Sequence, residues 1–213
     1  MKTGRSGFTY GLWLVAIFIL LRSFYVPTFK FLTGSLHPLA IDTYIFLVSS
    51  IVLIFLLRGK LKNFLALEKK ERKYFYMLII PAAVGNLLLD FSILYLPVKA
   101  FVIFISAMPI IVGFYSSRLL KETPSKILWV AALLAVIGAI VFKSGSITGL
   151  GWGDLFIILG VFLFSFTPIV NRKYIKKLGT REIMFLDSVF ILVPTIIAAL
   201  ALGVLAIPPL NTY

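Results

Sequence analysis

Long apolar runs that are almost free of charged residues recur along the whole chain, and they restrict the possible folds more than any other feature. A helix that crosses ~30 Å of hydrocarbon needs ~20 mainly apolar residues, and seven stretches meet that need. They lie at about residues 8–29, 36–57, 74–96, 98–118, 127–143, 149–170 and 183–207. Only 14% of the 213 residues are charged, compared with about 25% in soluble domains. The sequence therefore predicts an all-α membrane protein, a polytopic bundle of about seven transmembrane helices.

The basic residues alternate between the connections. Seventeen of the 21 lysines and arginines precede the first span or lie between spans two and three, four and five, or six and seven. Connections rich in Lys and Arg stay on the cytoplasmic side of a membrane. We therefore expect a multi-pass protein of the cell membrane with a cytoplasmic amino terminus and the lipid bilayer as its surroundings. Since topology accounts for these charges, they do not indicate a nucleic-acid partner.

The sequence offers little chemistry for an enzyme. It contains no cysteine and a single histidine, His37, so disulfides and thiolate sites are excluded and no metal site is expected. It has no phosphate-binding loop for ATP and no cysteine nucleophile or cluster of catalytic acids. We expect no catalytic residue and no cofactor. A coupling proton or ion, or exchange of solutes, would then supply the energy for any transport.

Two segments about 141 residues apart are weakly similar to each other. Residues 21–41 and residues 163–183 both run from an apolar helix through Ser-Phe and a proline into a basic connection. Five spans separate one copy from the next, so the copies enter the membrane from opposite faces. Such an inverted repeat is the usual plan of secondary transporters.

Residues 106–145 resemble part of a known repeat. They combine a proline-bearing helix, a Leu-x-Glu turn and a helix with a central glycine, and these features fall at Pro109, Glu122 and Gly138. This order is similar to the end of an EamA repeat in the drug/metabolite transporter superfamily. Residues 151–179 are likewise similar to the opening of the second EamA repeat.

The resemblance implies ten helices in two inverted five-helix repeats, with a substrate cavity in the middle and both termini cytoplasmic. It assigns residues 1–145 to a first repeat with spans one to five. Residues 146–213 then form a partial second repeat with spans six and seven, so we expect a chain truncated by three helices.

The function expected from this resemblance is secondary membrane transport. The chain would export or exchange a small polar metabolite, such as an amino acid or a related compound. One alternative is a truncated fragment that does not transport; if it does transport, a homodimer would supply the missing wall. Another alternative is a seven-helix receptor-like protein, which the basic amino terminus disfavours because receptors of that kind begin outside the cell.

Three charged residues share one predicted depth in the membrane. Arg22, Asp42 and Asp90 lie ~21 to 24 Å from the cytoplasmic ends of their spans, at ~1.5 Å per residue. An ionised arginine within a span costs ~2.5 to 3.5 kcal/mol, so we expect Arg22 to face a cavity and to pair with Asp90. The alternatives are that Arg22 reaches the outer interface and that Asp42 is hydrated near the end of its span.

Asn86 lies one helical turn before Asp90 and shares its helix face. We therefore place Asn86 and Asp90 in the substrate cavity, together with Arg22, Asp42 and Tyr25. The alternative for Tyr25 is a place in the interfacial belt of aromatic residues. Helix kinks beside the cavity are expected at three prolines, each of which frees a backbone carbonyl: Pro27, Pro109 and Pro168.

Two further acids have a simpler interpretation. Asp154 is expected to begin span six, where a negative charge complements the helix dipole. Asp187 is expected to be an acid of the first turns of span seven on the cytoplasmic side. A substrate role for either acid is the alternative.

Overall fold

Helices form all the regular structure in the described part of the computed structural model, which comprises residues 5–57, 62–123 and 151–205 and scattered positions from 127 to 141. Some side chains of the first helix, including that of Arg22, lie outside the described part. The described helices are α1 (Arg5–Leu32), α2 (Pro38–Leu57), α3 (Lys62–Leu65), α4 (Lys69–Tyr95), α5 (Val98–Ser106), α6 (Met108–Leu119), α7 (Trp152–Phe164), α8 (Phe166–Leu178) and α9 (Thr180–Ala201).

Five described segments are long and apolar enough to cross a membrane. They are Pro38–Leu57, Lys69–Tyr95, Val98–Leu119, Trp152–Leu178 and Thr180–Ala201. These segments coincide with predicted spans two, three, four, six and seven, and α1 covers the predicted first span with 28 residues. Predicted span five falls largely outside the described residues. The prediction of an all-α, multi-pass membrane protein is confirmed.

Span six is longer than the sequence predicted. We expected it to end near residue 170, whereas its helix continues to Leu178 and stops at Gly179, whose φ of 82° lies in the left-handed region. Glycine adopts this conformation without steric cost and commonly follows the end of a helix. Two lysines in the last turn, Lys176 and Lys177, also suit the negative end of the helix dipole. The apolar run therefore ends before the helix does.

Two spans are interrupted once each. Ala107 separates α5 from α6, with Pro109 in the first turn of α6, and Ser165 separates α7 from α8, with Pro168 in the first turn of α8. Proline has no N–H to donate to the preceding turn, which makes it compatible with the start of a helix and unfavourable inside one. Pro27, by contrast, lies inside the continuous helix α1.

Helices α4 and α7 cross at two glycines. A Cβ atom on Gly85 would lie 2.8 Å from the carbonyl carbon of Leu163, and one on Gly160 would lie 3.1 Å from the carbonyl oxygen of Gly85. Small residues allow membrane helices to approach this closely. The crossing therefore fixes the next turns of α4, with Asn86 and Asp90, beside α7.

The buried side chains form two clusters along the bundle. The basic end, as we call the end with the Lys- and Arg-rich connections, joins α3, the start of α4, α8 and α9 through a cluster that includes Phe64, Phe75, Ile169, Tyr174 and Ile183. The other cluster joins α1, α4, α5 and α7 and includes Phe29, Leu89, Ile93, Phe101 and Ile157. We call this second region the cavity half.

Candidate functional site

Three polar side chains from α2 and α4 meet in the interior of the bundle. The side-chain nitrogen of Asn86 donates hydrogen bonds to Asp42 Oδ2 at 2.7 Å and to Asp90 Oδ2 at 3.4 Å. The carboxyl groups of Asp42 and Asp90 also lie close enough to each other to interact electrostatically. Asp42 is 1% exposed and Asp90 is 6% exposed. The three residues therefore form one buried unit, the Asp42–Asn86–Asp90 cluster.

The start of α2 holds Asp42 in this cluster. His37 Nδ1 accepts a hydrogen bond from the backbone N–H of Leu39 at 3.3 Å, which satisfies one of the donors that a helix start leaves free. Burial lowers the pKa of His37 below its usual value and so favours the neutral imidazole that can accept this bond. Pro38, the first residue of the helix, has no N–H that needs a partner. Asp42 follows in the second turn, where it faces α4.

Helix α1 joins the cluster through Tyr25. Its hydroxyl group donates a long hydrogen bond to Asp42 Oδ1, at 3.5 Å, and its ring packs against Phe29 with centroids 5.7 Å apart. Further along α1, the Lys30 ammonium group donates to the backbone carbonyl of Ile93 on α4. These contacts hold the second half of α1 against the cavity half.

A cavity of about 480 Å³ lies between α1, α4, α5, α6 and α7. Asn86 and Asp90 line it, whereas Asp42 lies behind them and is not among the described lining residues. Most of the wall is apolar and includes Phe29, Leu89, Ile93, Phe101, Ile105 and Phe164. Small-molecule sites are typically apolar cavities of roughly 300 to 1,000 Å³ with a few polar groups that orient the ligand. The cavity has the size and composition of such a site.

The structure brings together four of the five predicted cavity residues: Tyr25, Asp42, Asn86 and Asp90. The side chain of Arg22, the fifth, lies outside the described residues, so its predicted pairing with Asp90 stays a prediction. Among the described side chains, no cation forms an ion pair with Asp90. Asp42 is buried, in contrast to the alternative that placed it in water. Pro27 lines the cavity, and Pro109 and Pro168 lie at the two helix interruptions beside it.

Asp154 and Asp187 are not among the described residues that line the cavity. Asp154 is in the first turn of α7, and its Oδ2 accepts a hydrogen bond from the backbone N–H of Gly151 at 3.0 Å. This is the helix-start role expected for it. Asp187 is partly buried in α9, and its Oδ1 has no hydrogen-bond partner among the described residues.

Two residues with a structural role, Glu182 and Gly160, were not predicted from the sequence. Glu182 is 2% exposed, and its Oε1 accepts a hydrogen bond from the backbone N–H of Phe64 at 2.8 Å, which ties α3 to α9. Glu182 could have been noticed as an acid within a strongly basic connection, because the membrane topology explains only the cations there. Gly160 gave no sign of its own, because its partner on α4 becomes known only once the helices are packed.

Polar contacts join α8 to α4 at the basic end. Tyr174 donates its hydroxyl hydrogen to the backbone carbonyl of Glu71 at 2.9 Å, and Lys177 forms an ion pair with the Glu71 side chain. The Lys173 ammonium group lies 3.4 Å from the centroid of the Tyr74 ring, a distance suited to a cation–π contact. These contacts join the end of α8 to the start of α4 and hold the two helices together at this end of the bundle.

A second set of contacts joins α8 to α6 beside the interruptions. The rings of Tyr115 and Phe166 stack with centroids 4.4 Å apart and planes 7° from parallel. Arg172 and Glu122 form an ion pair at 3.0 Å. The two segments that follow Ala107 and Ser165 are therefore fastened to each other, and α8 is also fastened to α4.

Comparison with known proteins identifies the family of this chain. Residues 9–143 match the EamA-like transporter family, which is more than half of the 213 residues. The match ends before residues 151–179, so their resemblance to a second repeat stays a prediction. No curated protein and no solved structure is significantly similar to the chain. The chain therefore belongs to the EamA-like transporter family, whose members are membrane transporters of small molecules.

Proposed function

We propose that the protein is a secondary transporter that exports or exchanges a small metabolite through the cavity beside Asn86 and Asp90. The observation that carries this proposal is the burial of two acids, Asp42 and Asp90, within apolar spans next to that cavity. Ionisable side chains inside spans are costly and usually mark the path of a substrate or an ion. Family membership supports transport, and the sequence contains no ATP-binding loop that would indicate a pump.

A proton is the coupling ion that the Asp42–Asn86–Asp90 cluster supports best. Ionising both carboxyl groups would place two like charges side by side in an apolar region, so the pair favours holding one proton between them. Asp90 lines the cavity and can exchange this proton with it, while Asp42 and Asn86 hold the remaining charge behind. Release on one side of the membrane and uptake on the other would couple solute movement to a proton gradient.

Movement around the two helix interruptions would expose the cavity to each side in turn. Ala107 and Ser165 divide their spans into a part that lines the cavity half and a part that closes the basic end. Because α6 and α8 are fastened to each other, we infer that they move together when α8 separates from α4. Alternating access of this kind is the general mode of secondary transporters.

The orientation that we propose places the basic end in the cytoplasm, from the distribution of lysines and arginines. Cysteines at Lys69 and Lys143, one in each of two variants of this cysteine-free chain, test this orientation. An impermeant thiol reagent added to intact cells should label the Lys143→Cys variant and not the Lys69→Cys variant. The reverse pattern would invert the proposed topology.

Transport is tested with the full chain in proteoliposomes. The liposomes are loaded with a defined mixture of amino acids and aliphatic and aromatic amines, a proton gradient is imposed, and the solutes released are measured by mass spectrometry. At least one solute should leave faster with the gradient than without it. Asp90→Asn should abolish that difference, and Glu68→Gln, the same chemical change at an exposed acid outside the site, should retain it.

Two outcomes would count against this proposal. If no solute responds to the gradient, the alternative of a fragment that does not transport is favoured. If Asp90→Asn transports with the same gradient dependence as the unmodified chain, the chain is a transporter but Asp90 does not carry the coupling proton.

A further inference from the structure

We propose that a pocket at the basic end binds a phospholipid with an ethanolamine headgroup. The phosphate would lie at the start of α9, and the ammonium group would lie beside the carboxyl group of Glu182. This inference goes beyond the proposed transport function and does not depend on it. It rests on three features of the described residues around the pocket: a helix start that offers hydrogen-bond donors, a buried carboxyl group and an apolar rim.

The pocket is open, has a volume of about 790 Å³ and lies where α2 ends and α9 begins. Leu57 closes the α2 side, Asn63 of α3 lies at another side, and Gly179 and Arg181 supply part of the α9 side. The pocket shares no described lining residue with the cavity of the proposed transport path. Because α2 and α9 are both long and apolar enough to cross a membrane, their meeting ends place the pocket at the membrane surface.

The start of α9 offers backbone donors to this pocket. The N–H of Ile183 donates to the carbonyl of Gly179 at 3.2 Å, so the N–H groups of Thr180, Arg181 and Glu182 have no acceptor within the helix. Gly179 precedes them and has no side chain with which to cap them. Backbone N–H groups and the positive end of the helix dipole together favour a phosphate group at such a helix start.

The side chain of Arg181 adds further donors beside this helix start. It is exposed, and its Nη1 donates a long hydrogen bond to the backbone carbonyl of Leu56 at 3.5 Å. This contact holds the guanidinium group between α9 and the end of α2. A guanidinium group carries five N–H donors, so most of them are left for phosphate oxygens, whose geometry the planar group matches well.

Glu182 supplies a negative group to the same pocket. Its side chain is 2% exposed. Oε1 accepts a hydrogen bond from the backbone N–H of Phe64 at 2.8 Å, whereas Oε2 has no hydrogen-bond partner among the described residues. A buried carboxylate oxygen is costly without a partner, and an ammonium group would provide a charge-assisted hydrogen bond. A headgroup that carries both a phosphate and an ammonium group therefore fits the pocket better than a purely anionic headgroup.

The rim of the pocket indicates that the ligand is a lipid and not a soluble phosphate ester. Phe55 and Leu56 line the pocket, and their side chains are 75% and 49% exposed. Both residues belong to the last turn of a helix that is long and apolar enough to cross the membrane. Acyl chains attached to a headgroup in the pocket would cover these side chains, which favours binding through the hydrophobic effect.

Three phospholipids with the same acyl chains test this inference, with native mass spectrometry of the full chain as the measurement of binding. Phosphatidylethanolamine, its N,N-dimethyl derivative and phosphatidylcholine carry three, one and no N–H groups on the headgroup nitrogen. All three are zwitterions, so a general attraction to the basic protein surface does not separate them. Affinity should fall in that order. Phosphatidylethanolamine should bind about tenfold more tightly than phosphatidylcholine, as expected for one charge-assisted hydrogen bond. Equal binding of the three lipids would overturn the inference.

Two variants assign the two parts of the headgroup. Glu182→Gln keeps an oxygen for the N–H of Phe64 but removes the charge, so it should reduce the preference for phosphatidylethanolamine over phosphatidylcholine to about onefold. Arg181→Ala should weaken the binding of both lipids several-fold and leave the preference in place. Glu68→Gln and Arg118→Ala, the same chemical changes at exposed residues outside the pocket, should alter neither quantity.

Three further outcomes would count against the inference. A preference that persists in Glu182→Gln would remove the carboxyl group from the site, and unchanged binding in Arg181→Ala would remove the phosphate from the start of α9. If Glu182→Gln does not fold, the order of the three lipids on the unmodified chain and the effect of Arg181→Ala decide. Glycerophosphoethanolamine, the soluble headgroup, should not displace the lipid even in large excess; displacement would mean that the pocket takes a soluble ester.

Discussion

The basic end and the cavity half share helix α4 but are held together by different kinds of contact. At the basic end, an aromatic edge contact, a cation–π contact and a partly exposed ion pair join α4 to α8. In the cavity half, α4 and α7 meet backbone to backbone at Gly85 and Gly160, and the polar groups are buried in one small cluster.

This difference indicates which end can open. Exposed ion pairs contribute ~0 to 1 kcal/mol each, and separating them returns their charges to water. Separating α4 from α7 at the glycine crossing returns no charge to water and would leave a void between the two backbones. We expect α8 to swing away from α4 at the basic end, while the crossing of α4 and α7 remains in contact as the pivot.

The largest expected effect comes from breaking the pivot. Gly85→Ala places a Cβ atom 2.8 Å from the carbonyl carbon of Leu163, and neither backbone can move aside without separating the helices. We expect the free energy of unfolding to fall by about 3 kcal/mol, at the upper end of overpacking effects. SDS titration of the protein in detergent micelles measures this change. Gly138→Ala, whose Cβ meets nothing within 4 Å, should change stability little; equal losses would mean that the crossing is loose.

The next effect concerns the buried cluster of the cavity half. Asn86→Leu keeps the branched shape of the side chain but removes the donor that serves Asp42 and Asp90. We expect a loss of about 2 kcal/mol in the free energy of unfolding, since an unsatisfied buried polar group costs ~1 to 3 kcal/mol. The matched change at an exposed position, Asn63→Leu, should cost much less in the same titration. A similar cost at both sites would show that the cluster adds no more stability than a surface amide.

A smaller effect tests the predicted pairing of Arg22 with Asp90. If the two side chains face each other in the empty cavity, Arg22→Ala and Asp90→Ala should not be additive, with a coupling free energy of about 1 kcal/mol. A double-mutant cycle on unfolding measures it. Lys30 provides the control, because it lies on the same helix but donates to the Ile93 carbonyl, so its cycle with Asp90 should be additive. Additivity in both cycles would leave Arg22 without a role in this pair.

The smallest effect on stability is expected at the basic end. Glu71→Ala should lower the free energy of unfolding by only ~0.5 kcal/mol, since the ion pair that Glu71 forms with Lys177 is partly exposed. The same change should nevertheless favour the open basic end. Labelling of a cysteine at Tyr74, beside the contact with α8, should therefore become faster in Glu71→Ala. Lys176→Ala, next to Lys177 on α8, should not alter the labelling rate. An unchanged labelling rate would mean that this contact does not keep the end shut.

Most of the helices could be predicted from the sequence, for a reason specific to membranes. The bilayer fixes the length of an apolar run, so spans two and four were located to within two residues, and spans three and seven to within six, without knowledge of packing. The interruptions at Ala107 and Ser165 were only partly predictable. A proline indicates a lost hydrogen bond, but whether the helix bends or stops there depends on its neighbours.

The site was harder to predict than the fold. Depth along a span placed Asp42 and Asp90 at one level, because the rise per residue is fixed. Their contact through Asn86, however, depends on which helices are neighbours and how each is rotated, and no single sequence carries that information. Spans four and six were expected to border the cavity, but the apolar residues of α5 and α7 that line it could not be named, since an apolar residue in a span looks alike whether it faces lipid or a cavity.

The crossing of α4 with α7 also has a consequence for how the chain is made. Gly85 and Gly160 touch in space but leave the ribosome far apart, with all of α5, α6 and the segment before α7 between them. Until α7 enters the bilayer, the small-residue face of α4 can pack only against lipid or a provisional neighbour, and Asp90, the buried acid on α4, lacks its final surroundings. Assembly of the cavity is therefore a late event in synthesis, and a chain that stops before α7 would leave Asp90 without its neighbours in the membrane, where an ionisable side chain is costly.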